Sequence, residues 1–85
     1  MMTDHERYYV RAWEIVAEYQ RGAQLPSFIE TDDCASEVYL ALVKLHDCAH
    51  ASGKQVTHGL EWLRGRDTIT KHVDKETLRQ RREGP

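Results

Sequence analysis

Residues 32–53 read DDCASEVYLALVKLHDCAHASG, and the reading of this stretch decides the fold. Val38, Ala41, Leu42, Leu45, Ala49 and Ser52 recur every three or four residues and trace one stripe. That is the period of an α-helix buried along one side. Cys34 and Cys48 fall beside the stripe, while Asp33, Glu37, Lys44 and Asp47 lie largely elsewhere. The spacing predicts a long central helix that starts near Asp32 or Asp33 and stops at Gly53. Its uninterrupted apolar run, residues 38–43, is the longest in the chain and far too short to cross a bilayer.

Upstream, Thr3 and Glu6 stand at capping-box spacing, and Asp4 and Glu6 suit the positive start of a helix. Tyr8, Tyr9, Ala12, Trp13, Ile15, Val16 and Tyr19 then form a broad apolar face, with Arg7, Arg11, Glu14, Glu18 and Arg21 opposite. Gly22 is expected to end this first helix in the left-handed conformation. Pro26 keeps Leu25 out of a helix. Ser27 and Glu30 are expected to cap one short turn whose Phe28 and Ile29 plug the core.

Downstream, Thr57 is expected to cap a short helix carrying Leu60, Trp62 and Leu63 and ended by Gly65. Thr68 is expected to open a last segment with Ile69, Val73 and Leu78, whose irregular spacing suggests a break near Asp74. No strand alternation or repeat is present. These elements predict one all-α domain over residues 1–85: a small bundle of three to four helices, two longer N-terminal ones followed by shorter ones, with residues 80–85 fraying.

A chain of 85 residues with 40% hydrophobic and 31% charged side chains has the composition of a small soluble globule. The Met1, Met2, Thr3, Asp4 start does not read as a signal peptide. Cys34 and Cys48 lie 14 residues apart on one predicted helix. That spacing places them about 21 Å apart, too far for an intrachain disulfide. Two unpaired thiols fit a cytoplasmic protein. Small untargeted domains of this kind are also typical products of phage and mobile-element genes.

Net charge is −2, but it is unevenly spread: residues 1–53 carry four basic and nine acidic side chains, residues 54–85 eight and five. The basic segment holds Arg64, Arg66, Lys71, Lys75, Arg79, Arg81 and Arg82. Together with Trp62, expected at the surface, Arg64, Arg66, Lys71, Lys75, Arg79 and Arg82 are candidates for binding an acidic patch on another protein. The acidic front and basic back could also pair two copies of the chain as a homodimer.

Read as helix, turn, helix, residues 55–82 superficially resemble a DNA-binding helix-turn-helix, with Asp67 and Thr68 as the turn. Lys71, His72, Lys75 and Arg79 would then contact phosphates and bases. His46 and His50, four apart on one helix face, are a weaker candidate pair for zinc. Phosphate-loop, nucleophile-elbow and His-Glu-x-x-His motifs are all missing from the sequence. The expectation is therefore a non-enzymatic interaction protein (a regulator, inhibitor or adaptor) that takes no cofactor. A small DNA-binding transcriptional regulator and a zinc-supported fold are the alternatives.

Overall fold

A computed structural model describes the backbone of residues 3–83 and the side chains of residues 3–82. Residues 1, 2, 84 and 85, with the expectations that fell on them, lie outside the described residues. Three α-helices follow one another: α1 (Asp4–Gly22), α2 (Thr31–Ala51) and α3 (His58–Glu83). All three pairs of helices touch, so the bundle has one shared core. No helix among the described residues is long and apolar enough to cross a membrane.

The first helix starts as its sequence dictates. The Glu6 backbone N–H donates to Thr3 Oγ1 at 3.2 Å, half of the expected reciprocal cap. Its end differs from expectation. The only described residue with positive φ is Gly53, so Gly22 is not a left-handed cap. Instead Ala23 turns extended and donates its N–H to the Tyr19 carbonyl. In the following loop the Ile29 N–H closes a turn onto the Pro26 carbonyl. Ile29 plugs the core, whereas Phe28 stays exposed.

Helix α2 begins at Thr31, with Asp32 and Asp33 in its first turn, where the helix dipole favours carboxylates. Val38 and Leu42 of the predicted stripe are fully buried, and so is Cys34. The helix ends in a paired cap: the Gly53 N–H reaches the His50 carbonyl and the Lys54 N–H reaches Ala49. This Schellman geometry requires the left-handed conformation, which Gly53 takes at φ 70°.

The main correction concerns the last third of the chain. Two short helices were expected, but residues 58–83 form one helix, the longest of the three at 26 residues. Thr57 does cap it, accepting from the Leu60 N–H at 3.1 Å. Gly65 does not stop it and Thr68 does not restart it. The Thr68 hydroxyl bonds back to the Arg64 carbonyl at 2.8 Å, as Thr70 does to Arg66 and Thr77 to Val73. A threonine inside a helix can satisfy its hydroxyl this way without breaking it. The expected break near Asp74 is also absent, and the helix runs on to Glu83.

Gly65 has a different job. A Cβ built on it would lie 2.6 Å from Ile15 Cγ2 and 3.3 Å from Val38 Cγ1. The missing side chain therefore lets α3 press against both other helices at the bundle centre. Glu61, Gly65 and Ile69, four residues apart, form the buried stripe of α3, while Leu60 and Leu63 are exposed. Helix α3 is five residues longer than α2, and residues 78–82 are all exposed. The molecule is accordingly elongated, 49 × 23 × 21 Å.

Candidate functional site

Two polar regions flank α3, one closed and one open. The closed one is built on Glu61, which is only 7% exposed. Arg11 of α1 donates its Nε–H to Glu61 Oε1 at 3.3 Å, and His46 Nε2 of α2 lies 2.8 Å from Oε2. An ionised carboxylate can only accept, so the imidazole hydrogen belongs on Nε2. Arg11 spends its remaining nitrogens on Glu14 Oε2 and on the His58 carbonyl. The Tyr8 ring stacks on His46 with centroids 4.4 Å apart. Burial, and then Asp4 and Asp47, push the Tyr8 hydroxyl above its ordinary pKa and keep it neutral. A cleft of about 460 Å³ opens beside this network. No buried side-chain nitrogen or oxygen among the described residues lacks a partner. Arg11 of α1, His46 of α2 and Glu61 of α3 thus tie all three helices together.

The open region is the groove between α2 and α3, about 530 Å³ in volume. It is lined by the half-buried Ala41 and Leu45 and the exposed Leu40 of α2, together with Glu37, Lys44, Cys48, Arg64 and Lys71. Leu40 is 53% exposed there. Lys75 continues the rim beside Lys71, with Glu37 opposite. Asp67 pairs with Lys71 at 3.0 Å, whereas Lys44, Arg64 and Lys75 have no ion pair among the described residues.

The continuity of α3 arranges the basic residues that the sequence picked out. Arg64, Lys71, Lys75 and Arg82 are spaced seven, four and seven residues apart, which returns them to within about 40° of one side. Arg79 is offset from that stripe and pairs with Glu76. His72 is half-buried. Arg66 and Trp62 lie four residues apart on another side, and Trp62 is half-buried, with part of its ring packed against the core. The expected aromatic-and-basic surface is therefore split. The exposed aromatic character sits instead in the groove between α1 and α2, where Tyr9 meets Trp13 and Tyr39 edge-on and His5 shares a 2.7 Å hydrogen bond with the Tyr39 hydroxyl.

The metal alternative gains no third ligand. His46 is engaged by Glu61, His50 is exposed, and no group of three His, Cys, Asp or Glu among the described residues could hold a metal. Both cysteines are free. Burial, with Asp33 and Glu37 nearby, pushes the Cys34 thiol above its ordinary pKa, while Cys48 is exposed in the groove. The helix-turn-helix alternative loses its turn, since Asp67 and Thr68 lie inside α3.

Compared with known protein families, with curated proteins and with solved structures, the chain matches none.

Sequence reasoning missed Glu61 and Arg11 as a site and paired His46 with His50 instead of Glu61. The available signal was the spacing of Glu61, Gly65, Ile69 and Val73 in steps of four. Two of those residues are not apolar, and this hid the stripe.

Proposed function

We propose that this chain is a small non-enzymatic interaction protein that binds another protein through the α2–α3 groove. It would act as a regulator, inhibitor or adaptor in a reducing cytoplasm, where Cys34 and Cys48 stay free. The observation that carries the reading is Leu40, half-exposed among the unpaired cations Lys44 and Arg64. An apolar floor inside a charged rim is the layout of protein interfaces, whose centre is dry and whose edge is wet. The groups of the Glu61 network already satisfy one another, which favours binding over catalysis as the chain's role.

The test is affinity capture with the intact protein and with Leu40→Asp, using Glu18→Gln on α1 as a control. Under this reading, the same protein is retained by wild type and control and lost by Leu40→Asp. Retention of one set of proteins by all three would sink it. The stripe of Arg64, Lys71, Lys75 and Arg82 keeps DNA as a second reading. Binding to a random duplex that weakens steeply with salt supports that reading, and no binding at low salt removes it.

A further inference from the structure

We infer that the occupant of the α2–α3 groove is an acidic amphipathic helix of the partner protein, an inference that rests on the reading above. Three observations carry it. The groove is a trough between two packed helices, and the natural filling for such a trough is a third helix. Every described element is helical, so there is no strand edge to which an extended segment could add. The trough has a half-buried apolar pair one helical turn apart on α2, Ala41 and Leu45, with Leu40 exposed beside them, to receive residues at helical spacing. From Arg64 to Lys75 it runs 11 residues, about 16 Å or three turns of a docked helix.

Charge selects among helices. Among the residues lining the trough, Lys44, Arg64 and Lys75 are uncompensated, Lys71 is taken by Asp67, and Glu37 is the remaining carboxylate. The trough is therefore net positive. A second copy docked by the same face would bring like charges together, which is unfavourable. A phosphate backbone would match the rim but would lie over Leu40 with nothing to offer it. A helix with leucines along one face and glutamates on its flanks satisfies both floor and rim.

Cys48 supplies a local reporter, because it is the exposed thiol and lies in the groove, while Cys34 is buried. The probe is a labelled synthetic peptide of about 14 residues, nearly four helical turns, with leucines at helical spacing and glutamates elsewhere. A lysine-for-glutamate version is the control. Binding is followed by anisotropy, and alkylation of Cys48 by iodoacetamide is followed by mass spectrometry. The glutamate peptide is expected to bind saturably, to weaken with salt, and to slow Cys48 alkylation roughly tenfold at saturation. The double reversal Lys44→Glu with Arg64→Glu is expected to keep the melting temperature, lose the glutamate peptide and gain the lysine peptide.

No binding overturns the inference, and so does binding that leaves Cys48 fully reactive or an equal affinity for the lysine peptide. A protein that sediments as a dimer with Cys48 protected, or duplex DNA that protects Cys48 in place of the peptide, overturns it in favour of those occupants. If the peptide fails while Leu40→Asp still loses a captured protein, only the nature of the occupant is wrong. If both fail, the interaction reading falls too.

Discussion

The two flanks of α3 treat charge in opposite ways within a single helical turn. At Glu61 a carboxylate is buried, and both oxygens are held by groups from the other two helices. At Arg64, three residues on, a guanidinium stands in the open beside a half-exposed leucine. A buried charge survives only when its partners are fixed, so the Glu61 seam serves the fold. On the open flank Lys44, Arg64 and Lys75 carry no ion pair among the described residues, so their charges are not spent on joining the helices.

Substitutions can break or sharpen that contrast, and the largest effect belongs to the seam. Gly65→Leu is expected to abolish cooperative thermal unfolding, because Ile15 and Val38 leave no space for a side chain. Gly65→Ala is the finer probe: a helix interior favours alanine by about 1 kcal/mol, yet overpacking of about 1–3 kcal/mol is expected to lower the urea midpoint. Next comes Glu61→Ala, which strands Arg11 and His46 and is expected to cost about 2–3 kcal/mol in denaturant unfolding. A double-mutant cycle with His46→Ala should then return a coupling of about 1 kcal/mol. A cycle that closes to zero would put the seam on the same footing as the surface.

Smaller again is Gly53→Ala at the corner that sets α3 against α2. Its left-handed backbone is expected to make alanine cost about 1 kcal/mol, read as a lower melting temperature. Smallest are the open-flank substitutions Leu40→Ser and Arg64→Glu, expected to shift stability by no more than about 0.5 kcal/mol. A large loss at Leu40 would make it a core residue and erase the contrast.

The first two helices were legible because each announces itself locally. Thr3 caps α1 and Val38 and Leu42 repeat at the helical period. The third helix was not. Glycine and threonine are punctuation in most local readings, but Gly65 answers to Ile15, fifty residues earlier, and the Thr68 hydroxyl turns back on its own helix. Glu61 was invisible for the same reason: Arg11 is fifty residues away and His46 fifteen. The basic residues of the groove were named individually. Their alignment could not be seen until α3 was known to be unbroken, because a break at Gly65 or Asp74 would scatter Arg64, Lys75 and Arg82.

The overhang of α3 gives one helix two lifetimes. Around Gly65 and Ile69 its amides can exchange with deuterated solvent only when the whole bundle opens, whereas residues 78–82 are held by the helix alone and exchange by fraying. Exchange rates should therefore climb along α3 from its middle to its end. A partner reaching as far as Arg82 would slow that end while leaving the middle unchanged, and the position where the slowing stops would mark how far along the helix the contact extends.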